Sequence, residues 1–249
     1  MDIMKRALYN LGNEEFAFLV DRIGKLLKER QISHIVVGGT AVQAHILDRL
    51  TKKHRVDIEK LTTNDVIRFQ DYIRLTDDID VAMQFLDDGQ NDIEAARKIN
   101  DFCDELVGTY ISGTDNHIFE YTLERRGVKR PVLGIIVDNV KGEDLLLNIS
   151  RKSSDLKRLE SRFYNHFVDH GVEMGLPYSN GYVVNLRVPK LEHVLATKIA
   201  SFRAKDAMDI QNLVGVLDSP KEIDTNEIER ILLPVHEHNY FERFRPLLD

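Results

Sequence analysis

A chain of 249 residues, 43% hydrophobic and 30% charged, has the make-up of a folded protein large enough to bury a sizeable core. A net charge of −7 excludes nucleic-acid binding by bulk electrostatics, and no apolar run reaches the length of a membrane span. The single cysteine, Cys103, excludes an internal disulfide framework; with an N-terminus that lacks a signal-peptide core, it leads us to expect a cytoplasmic protein.

Phe16, Leu19, Val20, Ile23, Leu26 and Leu27 recur at helical spacing and predict an opening amphipathic helix. Ile35-Val36-Val37 follows as a short apolar strand that runs into Gly38-Gly39-Thr40 and a helical pattern. Glycines at such a junction let the backbone approach a ligand closely, and a helix start offers free N–H groups and a positive dipole end to an anion. Residues 51–73 read as helical, with Val56, Ile58, Leu61, Val66, Ile67 and Phe69 as the apolar positions.

The next strand, around Asp77-Asp78-Ile79-Asp80-Val81, carries the most chemistry. Side chains alternate along a strand, so Asp78 and Asp80 share one face, on the order of 7 Å apart, while Ile79 and Val81 face the core. Two carboxylates on one face repel, and a divalent cation removes that cost. Mg²⁺ or Mn²⁺ bound by this pair would complete its shell with phosphates and water. A solvated edge strand with an acidic turn is the plainer alternative.

A helix is expected at 92–107, then strands at 118–125, 132–138 and 144–149. Helices dominate from 154 onward, broken by an extended piece near 182–188. In the helix after Pro189, Leu191, Val194, Leu195, Ile199 and Ile210 form an apolar stripe, and Asp206 and Asp209 share a face at i and i+3. By pattern alone that face reads as solvated. The order points to an α+β or α/β-like architecture, with a mixed sheet flanked by helices and a C-terminal helical bundle. We divide it into residues 1–150 and 151–249. There is no zinc spacing among the nine histidines, no Walker loop and no internal repeat. The basic runs at 125–130 and 151–162 read as solvated faces.

Val37-Gly38-Gly39 followed by Asp78-Ile79-Asp80 resembles the nucleotidyltransferase superfamily of the DNA polymerase β type. Lys198-x4-Arg203 with Lys205-Asp206-x-x-Asp209 resembles the AbiEii toxin family of bacterial abortive-infection and toxin–antitoxin systems. The resemblance covers residues 30–85 and 185–215 and departs from the family in the long stretch between Gly39 and Asp78, where it implies that residues 51–73 are an insertion. It implies transfer of a nucleotide from an NTP to a hydroxyl of tRNA, other RNA or a small molecule, and a cognate antitoxin as partner. Asp78 and Asp80 would hold the metal, and Gly38, Gly39 and Thr40 the phosphates. Lys198, Arg203 and Lys205 would contact the nucleotide, and Asp206 would activate the acceptor. A third carboxylate is expected on a neighbouring strand. Asp138 is the candidate, because a carboxylate in an apolar run is costly to bury unpaired. Its rival, Asn148 in Leu146-Leu147-Asn148-Ile149-Ser150-Arg151, stands where the family has a carboxylate. The alternative function is a nucleotide-binding or interaction protein that keeps the fold without turnover.

Overall fold

The computed structural model describes residues 21, 24–25, 27–31, 33–55, 72, 78–84, 117–125, 128–138, 144–150, 167–177, 183–201, 203–233 and 246, with backbone only for 78–79, 82–84 and the strands between 117 and 150. Two sheets and several helices make up these residues, a mixed α+β architecture. The expected helix at 92–107 and most of the 51–73 stretch lie outside the described residues.

The larger sheet contains β1 (Ser33–Val37), β2 (Asp78–Gln84), β3 (His117–Arg125), β4 (Val128–Asp138) and β5 (Asp144–Ser150), in the order β1-β2-β5-β4-β3. β2 lies inside the sheet, next to its edge strand β1, and differs in its two pairings. It runs antiparallel to β1, with Val37 opposite Asp80, and parallel to β5, with Asp80 opposite Asn148. β3, β4 and β5 form an antiparallel meander. The β-branched and aliphatic runs of these strands suit a sheet covered on its faces.

Helix α1 (Gly38–His54) leaves β1 with no linker. It is buried on nearly all sides over its first three turns, from Gly39 to Leu47. A helix so enclosed is a central packing element rather than a surface amphipath. Residues 51–54 are its last turn, and Arg55, in the left-handed region, ends it with its N–H bonded to the carbonyls of Lys52 and Thr51.

A second, two-stranded antiparallel sheet pairs β6 (Val172–Pro177) with β7 (Val183–Val188). β6 packs on α1, and β7 lies against β1. From β7 the chain turns through Pro189 into α2 (Leu191–Ser201), then α3 (Ala204–Gly215) and α4 (Thr225–Leu232). α2 contacts α1, α3 and α4. The core joins Ile35, Ala44 and Leu47 to Leu195, Ile199, Ile210 and Ile228, all at most 1% exposed. Burial of this order stabilises each large aliphatic side chain by about 1.5–3 kcal/mol.

Three polar ties fix the helices relative to the sheet. His45, buried on α1, donates from Nε2 to the Pro189 carbonyl at 2.7 Å. Arg49 Nη1 donates to Glu222 at 2.6 Å. Asn212 on α3 donates to the carbonyl of Tyr72, upstream of β2, at 3.1 Å. The first joins the helix after the Gly-Gly turn to the chain entering α2. The last joins α3 to the approach to the acidic strand.

Candidate nucleotide-binding site

The site begins at the β1–α1 junction. Gly38 adopts φ +69°, a conformation that L side chains rarely take. It also lies directly beneath the Asp80 carboxylate, which occupies the place a Cβ on Gly38 would take. The backbone turn and the acidic strand are therefore in contact. Val37, the N-cap of α1, provides no side-chain cap, and no acidic residue stands in the first turn. The first N–H groups of α1 receive no cap from their own segment, and the anion that stands against this helix start is the Asp80 carboxylate. Thr40, in that turn, is fully buried, and its Oγ1 has no hydrogen-bond partner. A buried hydroxyl left unmatched is uncommon and costs about 1–3 kcal/mol.

Opposite this junction stands the start of α3. Arg203 precedes the helix, and its guanidinium grips Asp206 through Nε at 2.7 Å and Nη2 at 2.9 Å. The Arg203 backbone N–H donates to the same carboxylate at 3.0 Å. This is a charge-assisted fork in which Asp206 also caps its own helix. Lys198 on α2 completes the group, donating to Asp209 at 2.6 Å and Asp206 at 3.4 Å. Lys198 is 5% exposed, and Asp206 and Asp209 are not exposed at all. The Asp206–Asp209 face is thus buried, not solvated: two cations that are distant or misaligned in the helical pattern neutralise it.

The electrostatics follow from these contacts. The Arg203 guanidinium is held above its ordinary pKa, first by its hydrogen bond to Asp206 and further by the charges of Asp206, Asp80 and Asp209. The field of Asp80 therefore reaches Arg203, so the acidic strand and the start of α3 face one region. Burial pushes Asp206 upward, but the Arg203 hydrogen bonds and the Lys198 charge outweigh it and leave the carboxyl below its usual range. Half the Arg203 side chain is exposed, so its free edge is open to a ligand. Lys205 is exposed on α3.

Gly38, Gly39, Thr40 and Asp80 thus meet at the β1–α1 turn, the Asp80 charge acts on Arg203, and Lys198 and Asp206 support Arg203 from within. The backbone of β2 puts Asp78 on the Asp80 face. The side chains of Asp78, Asp138 and Asn148 are not among those described, but register places their backbones. Asn148 stands directly beside Asp80 on β5. Asp138 pairs with Asp144 at the far end of β4, two strands from β2. Strand spacings put its backbone on the order of 12 Å from that of Asp78. Among the described residues, no group of three or more His, Cys, Asp or Glu side chains is arranged to hold a metal ion. Sequence reasoning did not single out Asp209 as the partner that holds Lys198. The one local signal was its i, i+3 spacing from Asp206.

The sheet and site define a mixed α+β protein with an acidic interior strand against a glycine turn. No family model matches the chain, and no curated protein matches it. Among solved structures, it is similar to the crystal structure of an antigenic nucleotidyltransferase-like protein from Paracoccidioides brasiliensis. The two are 14% identical, with a TM-score of 0.45 over 96% of this chain and 94% of that chain. A likeness of that degree assigns no activity. No helix among the described residues is long and apolar enough to cross a membrane.

Proposed function

We propose that this chain is a metal-dependent nucleotidyltransferase, moving a nucleotide from an NTP to an acceptor hydroxyl. One observation carries the reading: the Asp80 carboxylate rests on the Gly38 turn at the start of α1, and its charge acts on Arg203. An NTP needs those three elements together. The α1 N–H groups and Thr40 Oγ1 would receive phosphate oxygens, and the unmatched hydroxyl would gain its partner. Asp78 and Asp80 are the residues that would hold Mg²⁺ or Mn²⁺, and they fit it as paired carboxylates on one strand face beside a phosphate cradle. A bound cation there would neutralise charge developing on the phosphates.

The remaining roles follow from the contacts. Arg203 would pair with phosphate through its open edge. Asp206 has both oxygens engaged and a lowered pKa, which supports a positioning role for Arg203 over proton abstraction. Lys198 would act through the same network, and Lys205 would meet substrate from the surface. The acceptor, on tRNA, other RNA or a small molecule, and an antitoxin partner come from the family resemblance. The two-part division at residue 150 and a C-terminal bundle that includes α2–α4 come instead from the order of the elements.

A specific observation favours the second reading, a nucleotide-binding protein without turnover. Asn148 is the nearest neighbour of Asp80 on β5, and a neutral side chain there would leave the acidic set one charge short. One experiment separates the two. Each labelled NTP is incubated with the protein, Mg²⁺ and total cellular RNA, alongside Asp80→Asn. Label transfer by the parent and none by the variant supports the enzyme. Metal-dependent NTP binding without transfer to RNA or small-molecule acceptors supports the second reading. Neither binding nor transfer rejects both.

A further inference from the structure

A pocket of about 480 Å³ lies away from the candidate nucleotide site. None of Gly38, Asp80, Lys198 or Arg203 borders it. It borders Val36 and Val81, a register pair one step from Val37 and Asp80. Strand alternation therefore turns these two side chains to the other side of the sheet. The partly described helical segment at 21–29 and strand β7 supply its remaining walls.

Its charge is unbalanced. Lys25 and Asp21 neutralise each other at 2.6 Å. Among the described residues, Lys28 and Arg187, which also line the pocket, have no ion-pair partner, although Glu173, a further lining residue, stands opposite Arg187 in the β6–β7 register. The posture of Arg187 is built. Its side chain lies across Gly171, where a Cβ would meet its Nε at 2.9 Å and its Cγ at 3.0 Å. The Nε is buried and has no hydrogen-bond acceptor. The sealed Nε fixes the side chain against Gly171, and the terminal nitrogens of the guanidinium are the donors left to meet an anion.

We propose that this pocket binds a small phosphate monoester. Arg187 meets phosphate oxygens through its terminal nitrogens, Lys28 adds a second cation, and a compact apolar body rests on Val36, Val81 and Leu186. With Glu173 also on the lining, these charges leave one net positive charge, which favours an anion over a neutral ligand. The volume falls within the usual range of small-molecule sites, about 300–1,000 Å³. The proposal is independent of the nucleotidyltransferase reading.

The test uses phenyl phosphate as the probe, with phenol and inorganic phosphate as controls, followed by calorimetry on the full chain. The parent should bind phenyl phosphate saturably near or below about 1 mM and phenol not measurably. Arg187→Gln should weaken binding about tenfold or more, and Lys28→Gln by a smaller factor, while Arg203→Gln leaves it unchanged. Gly171→Ala should also weaken it, because the charge stays and only its placement changes. Lys28 is exposed, so its variant keeps the test valid should Arg187→Gln fail to fold. Three results overturn the proposal: no saturable binding by the parent, parent-like binding by both Lys28→Gln and Gly171→Ala, or loss only in Arg203→Gln, which assigns the ligand to the nucleotide site.

Discussion

Gly38 is constrained twice, by a positive φ and by the Asp80 carboxylate where a side chain would go. Gly38→Ala therefore carries the left-handed penalty of about 1–2 kcal/mol together with displacement of Asp80. We expect it to fold with a reduced Tm and to lose metal-dependent NTP binding. Unchanged affinity would mean the turn does not hold phosphate. The buried ion pairs at the other wall predict a different phenotype. Asp209→Ala leaves Lys198 buried with one distant partner, and such losses cost about 3–5 kcal/mol. For a chain of this size, Tm should fall by on the order of 10 °C. The double variant Lys198→Met with Asp209→Leu should recover much of that loss, since a buried pair replaced by apolar groups of similar volume is often neutral. Thermal denaturation of the three proteins decides it. At this scale the sequence was legible where the signal is local. Gly38, Asp78 and Asp80 are marked by glycine chemistry and period-2 alternation. The contact of Asp80 with Gly38 and the enclosure of Lys198 between two aspartates depend on chain segments far apart, and no short-range pattern encodes them.

The elements themselves divide in the same way. β1, β3, β4, β5 and β7 were readable as β-branched or aliphatic runs. β6 was not, because Gly175 and Pro177 break its pattern, and its pairing with β7 rather than its own propensity makes it a strand. α1 was legible as a helix but not as the most enclosed one. It carries His45, whose pKa burial lowers despite the Pro189 contact and the Asp48 charge. The sign of its pH effect is fixed. The unfolded chain takes up a proton near the ordinary value of 6.5, and the folded chain resists it until lower pH. The stability that neutral His45 brings is present above 6.5 and is lost as pH falls below it. His45→Gln keeps a donor for Pro189 without a titrating group. The parent should lose more Tm than His45→Gln between about pH 7.5 and 5.5. Parallel curves for the two would show that His45 does not couple α1 to pH.

Across the whole molecule, long-range register sets the timing of assembly. Val37 waits for Asp80 to close the β1–β2 pair, and Asp80 waits for Asn148 to close β2–β5. In contrast, β3 and β4 pair from Arg125 against Val128, a local hairpin. Closing long loops costs entropy before any contact offsets it, so sheets with distant partners form slowly. Pulsed hydrogen exchange during refolding should protect β3–β4 amides before those of β1 and β2. Simultaneous protection would show that the sheet condenses as one unit. The interior position of β2, between β1 and β5, therefore has a consequence for synthesis as well as for chemistry. On a ribosome the acidic strand emerges well before β5, and the α2–α3 wall follows later still. Until that wall arrives, the nascent chain carries its carboxylates without the arginine on which Asp80 acts, so any nucleotide-handling capacity waits until α3 has emerged.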